Sequence, residues 1–180
     1  MKYPTTTDRA RGRRWRVALA LACLGGLFAA DVFSKTWADT ELRQHGARSV
    51  LGGALVLRYQ SNSGIAFGLF RAPIVHWKRP ALIAYSAAIT LGLLLLLGWR
   101  LADARAGGLT TAGLVALAAG AAGNLRDRIT RGAVIDFLDL QPPGGATWPA
   151  FNLADLYLAV GLALCLGALV RGRARISTLG

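Results

Sequence analysis

Ala81-Leu82-Ile83-Ala84-Tyr85-Ser86-Ala87-Ala88-Ile89-Thr90-Leu91-Gly92-Leu93-Leu94-Leu95-Leu96-Leu97-Gly98-Trp99 is a run of 19 residues without a charge. As a helix it approaches the roughly 30 Å of a bilayer's hydrocarbon core, so it reads as a membrane span. Working outward, Leu109–Leu125, rich in Ala and Gly, and Asn152–Val170 are further apolar blocks of spanning length. A fourth, Val17–Ala38, follows Lys2, Arg9, Arg11, Arg13, Arg14 and Arg16. Its start resembles a secretory signal, but the apolar run continues past Asp31 and Lys35 and three more blocks follow, so an uncleaved first span is expected.

The sequence therefore predicts an all-α integral membrane protein with four transmembrane helices at about 17–38, 81–99, 109–125 and 152–170, in one domain over 1–180. A basic segment, 1–16, precedes the spans and a tail, 171–180, follows them. The 54% hydrophobic content and mean hydropathy of +0.42 agree. A net charge of +12 invites a nucleic-acid reading, but the basic residues gather at the chain ends and beside the apolar blocks, so no nucleic-acid partner is expected. They serve better as topology signals: the N-terminal group, Arg100 and Arg105, and Arg171, Arg173 and Arg175 place both termini in the cytoplasm. Arg43, Arg48, Arg58, Arg71, Lys78 and Arg79 in the first outer loop weigh against that orientation.

The outer segments have structure of their own. After Gly52-Gly53, Leu55, Leu57 and Tyr59 alternate with Val56 and Arg58, as in a short strand. Residues 133–140 alternate more weakly and end at the turn-forming Gln141-Pro142-Pro143-Gly144-Gly145. A small extracytoplasmic β-element is the expectation. In the third span, Ala116/Gly120 and Ala119/Gly123 are small residues four apart that let another helix approach closely. Cys23 and Cys165 lie in apolar blocks and read as small core residues.

Polar groups at membrane depth are costly and face a bundle interior or a cavity, so they mark where chemistry can occur. Asp31 and Lys35 share a helix face, as do Asn124 and Arg128, and Asn152 and Asp155. Each pair also has a plain structural reading: an intrahelical ion pair, an interfacial helix end, and a helix-start cap. By spacing alone the cap is favoured for Asn152 and Asp155. What shifts the balance is that Asp127, Asp136, Asp139 and Asp155, out of nine acidic residues, gather near the same ends of the third and fourth spans. Two carboxylates held close cannot both ionise cheaply, so one keeps a proton while the other acts as a base. His45 and His76 are isolated and no metal-ligand spacing occurs, so neither a metal nor another cofactor is expected. A serine peptidase lacks its motifs, and a carrier or assembly subunit with a buried ion path is the main rival.

Five boxes resemble the lipoprotein signal peptidase (signal peptidase II) family: Asp31-Val32-Phe33-Ser34-Lys35, Asn62-Ser63-Gly64-Ile65-Ala66-Phe67-Gly68, Gly123-Asn124-Leu125-Arg126-Asp127-Arg128, Gly132-Ala133-Val134-Ile135-Asp136-Phe137, and Phe151-Asn152-Leu153-Ala154-Asp155. The resemblance implies a bacterial inner-membrane aspartic endopeptidase that cuts a diacylglyceryl-modified prolipoprotein before its lipid-bearing cysteine. A monomer among membrane lipids is expected, with its site near the extracytoplasmic interface. The family's catalytic aspartates fall on Asp136 and Asp155, and its supporting residues on Asp31, Lys35, Asn62, Asn124, Arg128 and Asn152. Asp136 is preferred to Asp139 by the family box, since residues three apart on a strand face opposite ways. Asp127 is expected to pair with a neighbouring Arg.

Overall fold

The computed structural model describes residues 6–64, 78–103, 107–142 and 148–177. Ile65 to Gly68 of the Asn62 box, Arg71, Arg105, Gly144 and Gly145 lie outside these, as do the side chains of Arg9, Lys78, Arg173 and Arg175. Helix α1 (Thr6–Trp37) runs through a π-turn, Ala38–Leu42, into the short α2 (Arg43–His45). After the strands β1 (Arg48–Val50) and β2 (Leu55–Asn62) come α3 (Lys78–Ala102), α4 (Gly108–Thr130), β3 (Val134–Leu140) and α5 (Leu153–Ser177). The described residues are thus mostly helical, and among them are four helices long and apolar enough to cross a membrane and a three-stranded sheet. Helices α1 and α5 extend well beyond the apolar blocks because Arg is a good helix former and needs no burial.

Helix α4 is the central one. Of its span window 56% is buried, against 11–17% in the other three, because its Ala and Gly residues leave room for neighbours on every side. It packs most extensively on α5, then on α3 and α1. A methyl group on Gly120 would stand 2.5 Å from the Ala154 carbonyl oxygen, and one on Gly113 2.8 Å from that of Gly161. The α4–α5 contact is therefore nearly backbone to backbone. Leu91, Leu94 and Leu95 on α3 and Leu162, Leu166 and Leu169 on α5 are exposed, as suits surfaces that meet lipid tails. Cys23 is a correction to the sequence reading: it is exposed rather than in the core, because it borders an open groove between α1 and α4, while Cys165 is half-buried against Gly113.

The sheet is antiparallel in the order β1-β2-β3. Between the pairs Leu57/Leu138 and Gln60/Asp136, two β2 residues oppose the single Phe137, which is a β-bulge. Ala38 and Leu42 of the π-turn pack on Ile135 and Phe137, and Trp37 meets Phe137 edge to face at 6.5 Å. This apolar contact seats β3 against the end of α1. The chain leaves α4 through Gly132, whose φ of +78° favours glycine, and Asp127 accepts the Ile135 N–H at 3.3 Å across the turn.

Candidate active site

Asp136 sits in the middle of β3, 1% exposed. Asn62, at the end of β2, pairs with Val134, two residues before it, and so reaches Asp136 diagonally across the ladder. From the other side, Phe151 exchanges hydrogen bonds with Leu138, donating at 2.9 Å and accepting at 2.9 Å, and also accepts from Phe137 at 3.0 Å. That bridge fixes the next residue, Asn152, beside Asp136 just as α5 begins.

Asn152 caps α5. Its Oδ1 accepts the Asp155 N–H at 3.0 Å, while the Asp155 carboxylate accepts the Asn152 N–H at 3.3 Å. This reciprocal cap satisfies two free amides of the helix start. It also leaves the Asn152 amide group free to point away from the helix. The cap expected from spacing and the site expected from chemistry are thus the same two residues.

The carboxylates are held by amides alone. Asn62 Nδ2 donates to Asp136 Oδ2 at 2.8 Å and Asn152 Nδ2 to its Oδ1 at 2.7 Å. Asn124 Nδ2 donates to Asp155 Oδ1 at 3.0 Å. Asn62 is itself fixed by accepting the Gly64 N–H at 3.0 Å. Both carboxylates line one cavity of about 150 Å³, together with Asn62, Asn124 and Arg128. Burial pushes the Asp136 carboxyl up to about 6; the Asn62 hydrogen bond opposes this, the nearby Asp155 charge adds to it, and the Asn152 hydrogen bond opposes it again. A proton on Asp136 is therefore accessible near neutral pH.

Behind the cavity lies a second group of charges. Lys35 Nζ stands 2.8 Å from Asp31 and 3.5 Å from Asp127, and donates to Asn124 Oδ1 at 2.8 Å. Asp31 also accepts the Ala154 N–H at 2.9 Å, near the start of α5. A Cβ on Gly123 would collide with the Asp31 carboxylate, which explains the small residue there. Lys35 thereby orients Asn124, and Asn124 orients Asp155. Arg128 donates to the carbonyls of Asn124 at 3.4 Å and Gly64 at 3.3 Å, tying the Asn62 turn to α4.

Asp139 and Asp127 point elsewhere. Asp139 pairs with Arg58 at 2.6 Å on the opposite face of β3 and accepts from Gln141 at 2.9 Å. Asp127 pairs with Arg131 at 2.5 Å, as well as with Lys35. The cavity also has walls that the sequence reading missed: Tyr85, Ser86 and Ile89 of α3, Ala121 of α4 and Leu158 of α5. A signal for the first group existed, since Ser86 and Thr90 are polar residues four apart in an otherwise apolar span. Among the described residues no group of three or more His, Cys, Asp or Glu is placed to hold a metal ion.

The signal peptidase II family model matches residues 23–171. The chain belongs to that family. It is 39% identical over 131 residues to a lipoprotein signal peptidase of Syntrophomonas wolfei, covering 73% of this chain and 78% of that protein. To a lipoprotein signal peptidase of Oleidesulfovibrio alaskensis it is 36% identical, over 82% of this chain and 90% of the relative. Two solved structures, both described as bacterial membrane enzymes, share the fold. One superposes with a TM-score of 0.73 at 24% identity over 88% of this chain and 92% of its own, the other with 0.68 at 25% over 85% and 93%. Signal peptidase II removes signal peptides from prolipoproteins, which makes this chain a multi-pass bacterial membrane protease.

Proposed function

We propose that this protease is an aspartic endopeptidase in which Asp136 and Asp155 share one proton and activate a water molecule without a metal. The observation that carries the reading is the pair of buried carboxylates on one cavity, fixed by asparagine amides and a backbone N–H rather than by cations. An ammonium in contact would lock a carboxylate in its charged form, whereas amide donors leave both states open. The ionised partner takes a proton from water as it attacks the scissile carbonyl. The protonated partner supports the tetrahedral oxygen and then protonates the leaving amine.

The supporting residues have distinct tasks in this reading. Asn62, Asn124 and Asn152 aim the carboxylates, Asp31 and Lys35 hold Asn124 and the start of α5, and Arg128 anchors the Asn62 turn. The substrate is a diacylglyceryl-modified prolipoprotein, cut on the amino side of its lipidated cysteine. Its acyl chains and apolar signal helix keep it in the bilayer, so the scissile bond is presented near the interface where α4 ends and α5 begins. The clusters of Arg at the chain termini support a cytoplasmic placement of both ends and an extracytoplasmic site. The chain acts as a single monomeric domain that has no nucleic-acid partner.

The test is cleavage of a diacylglyceryl-modified prolipoprotein in detergent with a chelator present. Asp136→Asn and Asp155→Asn should each lose at least about 1,000-fold in kcat while remaining folded, on the scale of removing a member of a catalytic unit. Loss of wild-type activity to the chelator, or a fully active Asp136→Asn, overturns the dyad.

A further inference from the structure

We propose that Ser86 is a substrate-binding residue whose hydroxyl hydrogen-bonds the backbone of the peptide beside its scissile bond. This rests on the dyad reading above, since it places the scissile bond in the same cavity. Ser86 lies on α3, across the cavity from the carboxylates, and is 9% exposed.

The asparagine and arginine side chains of that cavity are already engaged, and the Tyr85 hydroxyl belongs to a side chain that is 56% exposed. The amides of Asn62 and Asn124 hold the two aspartates, and Arg128 is bound to two backbone carbonyls. A serine inside a membrane helix commonly turns its hydroxyl back to a carbonyl of the preceding turn. Thr90 does so, donating to the Ser86 carbonyl at 2.8 Å, and Ser34, Thr36 and Thr111 make similar bonds. Ser86 does not: among the described residues its hydroxyl has no hydrogen-bond partner, and it is not sealed off from the cavity.

A peptide drawn into this site brings backbone N–H and C=O groups into a region where water is scarce. Each group left unpaired there costs more than it would at a soluble surface. The carboxylates and the attacking water serve the scissile carbonyl itself. An adjacent peptide group faces α3, where Tyr85 and Ile89 flank Ser86 and the free hydroxyl can donate to a carbonyl or accept an N–H.

The test is the steady-state cleavage of a diacylglyceryl-modified prolipoprotein by Ser86→Ala, Ser86→Thr and Thr90→Val in detergent. Ser86→Ala should lower kcat/KM about tenfold, the scale of one hydrogen bond. Ser86→Thr should recover to within about threefold of wild type, and Thr90→Val, whose hydroxyl is engaged within the helix, should stay within about twofold. Substrates in which one amide at a time is replaced by an ester then locate the contact: one position near the scissile bond should be impaired with wild type and show no further loss with Ser86→Ala. If Ser86→Ala does not fold, Ser86→Cys gives the same comparison with a much weaker donor. Unchanged kcat/KM in the folded variant, or ester effects that add at every position, overturns the proposal. Because these ratios are taken within an active enzyme, that result leaves the dyad standing, whereas a failed dyad appears as full activity in Asp136→Asn.

Discussion

Two clusters of buried carboxylates lie close together in this protein and are built differently. Asp31 and Asp127 close around the Lys35 ammonium, and all three side chains are at most 1% exposed. Asp136 and Asp155 form no ion pair among the described residues and take hydrogen bonds only from amides. The contrast separates two uses of the same residue type. A carboxylate in contact with an ammonium is committed to an ion pair and serves as structure; one held by neutral donors beside a cavity is placed to gain and lose a proton.

If that division is right, the first cluster fails through stability. Lys35→Met strands the buried Asp31 carboxylate, while Asp127 keeps Arg131, and should destabilise the chain by about 3–5 kcal/mol, the usual scale for breaking a buried pair. Denaturant or thermal unfolding in detergent measures it. A Lys35→Met variant as stable as wild type but inactive would erase the distinction and move Lys35 into the chemistry.

The second cluster should show itself through pH. The Asp136 carboxyl has its pKa raised from 3.8 to about 6 in the folded chain, so the folded state binds the proton more tightly than the unfolded one. That stabilisation is complete below about pH 4 and is lost as pH rises through about 6. Asparagine cannot titrate, so the stability of Asp136→Asn relative to wild type should improve by about 2 kcal/mol between pH 4 and 7.5. A difference that is flat with pH would place Asp136 with the fixed ions.

Asp139 supplies the smallest effect. Its partner Arg58 is 46% exposed, so the pair is screened by solvent. Asp139→Asn should cost no more than about 1 kcal/mol and leave cleavage within about threefold. A dead Asp139→Asn would mean that the two faces of β3 have been assigned the wrong way round.

How much of this was legible beforehand differs from element to element. The helices were, because lipid demands long apolar runs and soluble alternatives lack the polarity for them. Strand β2 was visible through Leu55, Leu57 and Tyr59, but β3 was only faint: Val134, Ile135, Asp136 and Phe137 are all buried, so no alternation survives in the sequence. Strand β1, three residues long, left no pattern at all. At the site, Asp31 with Lys35 and Asn152 with Asp155 were legible as pairs, because three- and four-residue spacings are local. Their meetings with Asn124, Asn62 and Asp136 depend on the β-bulge and the Phe151 bridge, which follow from tertiary packing. Ser86 went unnoticed because hydroxyls at positions such as Ser86 and Thr90 are commonly tolerated in an apolar helix without any role, by bonding back to its own carbonyls.

The Phe151 bridge also orders events during synthesis. Asn152, which grips Asp136, and Asp155, which shares its cavity, both belong to the start of the last membrane helix. A ribosome-bound chain lacking that helix has Asp136 held by Asn62 alone and no second carboxylate beside it. If the proposed dyad is the catalytic pair, a chain still awaiting its last helix has no activity, and cleavage begins only once that helix is in place.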